Sequence, residues 1–236
     1  MTEILYMKDV ESNYIREFNA RVVDRGEDHV VLDRTAFYAE AGGQPTDKGV
    51  LGWEGGESTV RKVKKDKGTV KHFVDPVPET DDVHGELDWE RRYALMRMHT
   101  AQHVVSGVVY DLFKARTVGN QIHGNRSRID FHPVSFEEND LKVIEETCNN
   151  VISKDIPVSI YEEDRDVLEE KMGEQRYIMD LIPKSIRRLR VIQIGDFDIC
   201  PCGGTHTRNT SELGKVHVMS RRSKGADRER LTYELV

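Results

Sequence analysis

The first third of the chain alternates apolar and polar positions with a two-residue period, the pattern of strands that bury one face. Residues 18–23 and 29–34 are such runs, separated by a turn-like Arg25-Gly-Glu-Asp28. Val50-Leu51, residues 58–63, 68–74 and 83–87 continue the series, with a proline-rich and acidic loop (Pro76 to Asp82) before the last run. Short strands at close, regular spacing predict a small β-barrel over residues 1–88. Between the second and third runs lies a glycine-dense stretch, Phe37 to Gly49.

At Asp88 the period changes. Asp88 can cap a helix over Arg91 to Tyr110, with Leu95, Met98, Val105, Val108 and Val109 on its buried side. Residues 113–119 read as the end of that helix and a turn. Residues 127–131 alternate as a strand. Ser135-Phe-Glu-Glu138 has the form of a capping box, followed by Leu141, Ile144, Cys148, Val151 and Ile152 at helical spacing. Residues 156–161 read as an edge strand because of Pro157. Asp164 to Met172 reads as a short helix stopped by Gly173, and 189–194, 215–219 and 231–235 as strands. The expected fold class is therefore α+β: an N-terminal barrel (1–88), then a second domain (89–236) with helices packed on a mostly antiparallel sheet.

Composition refines this picture. The 236 residues are 37% hydrophobic and 33% charged, and no apolar run is long enough for a membrane span. The N-terminus lacks the basic-then-apolar order of a secretory signal. Three cysteines, with Cys200 and Cys202 almost adjacent, argue against a disulfide framework or a disulfide-linked partner; a reducing cytoplasmic setting fits better. The net charge of -7 disfavours a general nucleic-acid binder. Basic clusters nevertheless occur at Arg61–Lys65 with Lys67 and Lys71, at Arg187, Arg188 and Arg190, and at Arg221, Arg222, Lys224, Arg228 and Arg230. They are either solvated surface or an RNA footprint.

The distinctive chemistry lies at two places. His99 and His103 are four residues apart on the long helix, which puts both imidazoles on one side. Far downstream, Cys202-Gly-Gly-Thr-His206 repeats that spacing with a thiolate and an imidazole. Among nine histidines a His-x3-His pair alone means little; joined to a Cys-x3-His it makes a zinc-type donor set. Thr100, Ala101 and Gln102 fill the places between the two histidines, so the glutamate base of the His-Glu-x-x-His peptidases is missing and that class is disfavoured. Cys200 is a fifth candidate ligand or, more simply, a small buried side chain. Four protein ligands make a closed site, whereas catalysis needs an open position: either one ligand is loose, the metal becomes five-coordinate, or zinc orients the substrate without making the nucleophile.

These residues together make the chain resemble the AlaX family, freestanding two-domain alanyl-tRNA editing proteins related to the editing domain of alanyl-tRNA synthetase. The match is carried by Phe37 to Gly49, by Asp88-Trp-Glu-Arg-Arg92 leading into Arg97 to His103, by Cys202 to His206 and by Thr210-Ser-Glu-Leu-Gly214. Ala41 departs from the family's usual Gly or Ser and touches loop geometry. The resemblance implies a zinc-dependent deacylase of mischarged alanine tRNA, hydrolysing Ser-tRNA(Ala) and Gly-tRNA(Ala) in trans, with residues 89–236 as the editing domain. It implies His99, His103, Cys202 and His206 as zinc ligands and Thr117 as a contact to the substrate side chain. It also implies Gly42, Gly43 and Gln44 near the aminoacyl end; the alternatives are ordinary turn residues. No residue emerges as general base. Two rival functions stay open: a non-catalytic zinc-stabilised RNA-binding module, and editing of another misacylated tRNA such as Ser-tRNA(Thr).

Overall fold

The computed structural model describes residues 1–66, 68–172 and 182–236; Lys67 of the first basic cluster and the expected helix stop at Gly173 lie outside them. Fifteen strands are described: β1 (Glu3–Ile4), β2 (Glu17–Arg25), β3 (His29–Leu32), β4 (Arg34–Thr35), β5 (Gly49–Trp53), β6 (Gly56–Asp66), β7 (Thr69–Asp75), β8 (Asp82–Leu87), β9 (Arg116–Gln121), β10 (Ser127–His132), β11 (Val158–Asp164), β12 (Arg188–Ile194), β13 (Asp198–Pro201), β14 (Val216–Ser223) and β15 (Glu229–Leu235). The helices are α1 (Trp89–Phe113), α2 (Glu138–Ile152) and α3 (Arg165–Met172).

Strands β2, β3, β7, β6, β5 and β8 close into a barrel in that order. Its filling follows from the alternation: in β8, Val83, Gly85 and Leu87 point inward while Asp82, His84 and Glu86 face out. Val30, Leu32, Phe37, Leu51, Val60 and Val63 complete a dry interior at essentially zero exposure. The second half carries two antiparallel sheets, β14-β15-β10-β9 and β11-β12-β13, with α1 and α2 packed on the first. The α+β class and the six-stranded barrel therefore agree with the alternation of the sequence.

Helix α1 holds the molecule together. The Asp88 carboxylate accepts from the Arg91 amide at 3.1 Å and caps its first turn, and Lys114 ends it in the left-handed region. The sequence suggested one buried stripe. Instead every residue from Met98 to Tyr110 is buried, because the helix runs between neighbours on all sides. Near its start, Arg92 is wholly buried and pairs with Asp47 from the glycine-dense stretch, its Nε 2.9 Å from Asp47 Oδ2. The same guanidinium donates to the carbonyls of Asn13 (2.9 Å) and Ala36 (2.5 Å). This ion pair couples the barrel to the helix.

Two local expectations are corrected, and one strand had no expectation. The α2 cap is Glu137 rather than Ser135, with Asp140 accepting from the Glu137 amide at 2.7 Å; the cap lies two residues past the box read in the sequence. Residues 116–121 are strand β9, not a turn: Gly119 and Asn120 disguised it, and the ladder to β10 supplies the hydrogen bonds that propensity does not. Strand β13 went unread, because four residues ending in proline give no local signal and take strand form through their pairing to β12.

Candidate metal centre

Two elements meet at the centre of the second half. Helix α1 points His99 and His103 to one side, and the loop leaving β13 brings Cys202 and His206 against them. The four donor atoms all lie within 4.8 Å of one another. Cys202 Sγ is 3.5 Å from His99 Nε2 and 3.4 Å from His206 Nε2. The loop reaches this close because residue 204 has no side chain: a Cβ there would overlap the His99 ring and press on Gln44.

The histidines are oriented from behind. Gln44 Oε1 sits 2.8 Å from His99 Nδ1, Asp198 Oδ2 3.2 Å from His103 Nδ1, and Thr100 Oγ1 3.3 Å from His206 Nδ1. In each case an oxygen engages Nδ1, which leaves Nε2 available on the Cys202 side. The loop backbone is held as firmly. The His206 amide donates to Asn13 Oδ1 at 2.7 Å, the Thr207 amide to Thr100 Oγ1 at 3.1 Å, and Arg190 NH1 to the Cys202 carbonyl at 2.6 Å. Arg190, read in the sequence as part of a basic surface cluster, is buried against this loop.

Charge matches geometry. Burial pushes the Cys202 thiol up, but the imidazoles of His99 and His206, with hydrogen bonds from His103 and His206, outweigh it and hold the group well below the usual thiol range. Burial, reinforced by the neighbouring imidazoles, drives His206 well below the ordinary value. Burial lowers His103, but Cys200 beside it and hydrogen bonds to Asp198, Cys200 and Cys202 outweigh it and hold that imidazole well above its ordinary value, so metal ligation would have to release its proton. The cluster is thus a buried N/S donor set that could hold a metal ion.

Cys200 is distinct. It is buried, as its simpler reading expected, and its Sγ lies 3.3 Å from His103 Nδ1, on the far side of that ring from Nε2. Burial raises its thiol to about 11 despite His103. With Asp198 it backs His103 and is absent from the four-donor group.

The comparisons with known proteins give the family. The chain is 38% identical to the alanyl-tRNA editing protein AlaX-M of Methanosarcina acetivorans and 37% to that of Methanosarcina barkeri, each over the full length of both chains. The chain belongs to the AlaX-M family. A domain described as tRNA synthetases class II (A) matches residues 4–91, and one described as threonyl and alanyl tRNA synthetase second additional domain matches 189–232. The alanine–tRNA ligase of Pyrobaculum neutrophilum is 41% identical over 88% of the chain, which spans 24% of that enzyme.

The remaining candidate residues of this AlaX-M chain fall into two groups. Gly42 and Gly43 form a tight turn between Ala41 and Gln44 with left-handed φ of 57° and 83°. The turn presents Gln44, which is buried, accepts from the Thr205 amide at 3.1 Å and donates to Thr205 Oγ1 at 2.8 Å besides touching His99. The turn also forms one wall of a cleft of about 510 Å³ whose other wall is the end of β9 and the face of β10. None of the four donors lines the cleft; Gln44 both lines it and backs His99. Thr117 lies on β9 beside a bulge, not in a turn, and its Oγ1 is 2.7 Å from Ser106 Oγ, which accepts from Gln102 Nε2 at 2.8 Å. Sequence reasoning missed Asp198 and Thr100, which orient two of the histidines. Neither had a spacing signal that could have marked it.

Proposed function

We propose that the chain is a trans-acting editing hydrolase that removes serine, and glycine, from mischarged alanine tRNA in the cytoplasm. The observation that carries this reading is the convergence of His99, His103, Cys202 and His206 beside a turn that opens on a cleft, in a chain similar throughout its length to alanyl-tRNA editing proteins. Its chemistry is hydrolysis of the ester between the amino acid and the tRNA terminal ribose: water adds to the carbonyl, the ester C–O bond breaks, and a carboxylate and a ribose hydroxyl leave.

His99, His103, Cys202 and His206 would hold zinc, a borderline-soft ion suited to imidazole and thiolate donors. Zinc bound there would supply a fixed positive charge that orients the aminoacyl end. The chain's own groups do the rest. Gln44, Asp198 and Thr100 keep three Nε2 atoms aimed inward. Gly42 and Gly43 would let backbone approach the terminal adenosine without side-chain obstruction, and Gln44 would line that approach. Thr117, tied through Ser106 to Gln102 on α1, offers a hydroxyl to the serine side chain. Alanine lacks that hydroxyl and would leave the partner unpaired, at about 1–3 kcal/mol; the contact separates serine from alanine and gives glycine, which also lacks the hydroxyl, no advantage. In this reading residues 1–88 present the turn and residues 89–236 carry the editing chemistry.

The deciding assay charges alanine tRNA with serine, glycine or alanine and adds the protein with and without chelator. Serine and glycine are released, alanine is spared, and chelation stops release. A folded, metal-loaded sample that leaves Ser-tRNA(Ala) intact overturns the reading in favour of a structural RNA-binding module. Serine carried on threonine tRNA serves as the control for tRNA identity, since the matched domain description names both threonyl and alanyl enzymes.

A further inference from the structure

The cleft beside Gln44 does not end at β10. A second depression of about 330 Å³ shares Gln121, His123, Arg128 and Arg230 with it and continues over the solvent face of β10, β15 and β14. Together they form one trough running from the glycine turn across the sheet. The alternation of β10 and β15 buries Ile129, Phe131, Leu231 and Tyr233 on the α1 side and leaves Arg128, Asp130, Arg230 and Thr232 on the trough side.

Its charge is unbalanced. Arg230 is satisfied by Asp130 through two bonds of 2.6 and 2.8 Å. Directly across the ladder from Arg230 stands Arg222, whose guanidinium faces a partner of like charge already paired to Asp130. Arg222, Arg128 and Arg126 are exposed and have no side-chain ion pair or hydrogen bond among the described residues. Three free guanidinium groups thus line one trough in a chain of net charge -7.

An apolar side chain completes the pattern. The β14–β15 register shifts between Val218 and Ser220, so Met219 bulges out of the ladder and lines the trough with 40% of its surface exposed. Guanidinium groups spaced along a groove, with an exposed apolar side chain and an imidazole (His123) between them, suit phosphates alternating with unstacked bases.

We propose that this trough binds the single-stranded 3′ end of an RNA, with Arg126, Arg128 and Arg222 on successive phosphates, Met219 against a base, and the terminal nucleoside delivered to the Gln44 turn. The proposal rests on the editing reading for the identity of that RNA, though not for the binding itself.

The test uses the full-length, metal-loaded protein and its R126Q/R128Q/R222Q variant, with R61Q/K64Q/K65Q on the barrel strand β6 as a control that removes equal charge elsewhere. Two measurements are made: anisotropy with uncharged alanine tRNA and with a labelled oligoribonucleotide ending in CCA, and deacylation kinetics with Ser-tRNA(Ala). The trough variant is expected to weaken binding to both RNAs by about tenfold or more. It should also lower the slope of log affinity against log salt by about 2, from roughly 0.7 for each single-strand phosphate that is no longer neutralised. In kinetics the loss falls on KM rather than kcat. Wild-type affinity and salt slope in the trough variant, or equal weakening in the barrel control, overturns the proposal. If the wild type binds RNA through the trough yet leaves Ser-tRNA(Ala) charged, the editing reading fails while the trough stands.

Discussion

Both halves of the molecule bury histidine, and they do so for opposite ends. In the barrel, His72 sits at zero exposure among aliphatic side chains, with its Nε2 2.8 Å from Thr35 Oγ1 and its ring edge-on to Phe37. Burial drives it from 6.5 down to about 4, so it is a neutral packing element. Around α1, three imidazoles crowd together with ring centroids 4.4 to 5.4 Å apart and a thiol facing them. Packing neutral rings does not require that convergence. Burial of a histidine is therefore uninformative by itself; the direction of Nε2, set by the oxygen behind Nδ1, separates a core residue from a ligand.

The sharpest way to break the contrast is at the two cysteines. Cys202→Ala is expected to lose bound metal and deacylase activity together, whereas Cys200→Ala keeps full metal stoichiometry; metal analysis and a deacylation assay read both. Metal retained at full stoichiometry in Cys202→Ala would remove the thiol from the centre. Next in size is the joint between the halves. Asp47→Asn strands the buried Arg92 charge and is expected to cost about 3–5 kcal/mol in denaturant unfolding. A loss near zero would mean that the carbonyls of Asn13 and Ala36 suffice.

The barrel histidine makes a pH prediction. Its folded value is depressed, so the unfolded chain binds the proton first. Stability is full above pH 6.5 and drains as pH falls toward 4, by up to about 3 kcal/mol. Replacing it (His72→Gln) should flatten this part of the profile, seen as the difference between variant and wild type from pH 7 to pH 4.5; parallel curves would refute it. On the metal side, Gln44→Ala removes the oxygen behind His99 and is expected to weaken zinc binding by about 10–100-fold in a chelator competition. Unchanged affinity would show that His99 is oriented by packing alone. Smallest is Thr117→Val, which should narrow the preference for serine over alanine by up to about tenfold with the fold intact. Selectivity equal to wild type would free Thr117 from that role.

The elements differed in how far the sequence disclosed them. The barrel strands and α1 were legible because alternation and the Asp88 cap are local signals: Val83 to Leu87 reads as a strand without knowing its partner. The α1 span was shorter in the sequence reading, and its all-round burial was invisible, because neighbours on the far face come from distant chain. Strand β9, with Gly119 and Asn120 in it, exists through its ladder to β10, and Thr117 moved with it from turn to strand.

By itself the sequence determined the donor chemistry: two i, i+4 pairs of zinc-type ligands, and the two glycines that let one pair approach the other. Their meeting, the oxygens of Gln44, Asp198 and Thr100 that aim them, and the arginine trough were decided only by the tertiary structure. These arise between residues far apart in the chain, where no short-range period or propensity can register them.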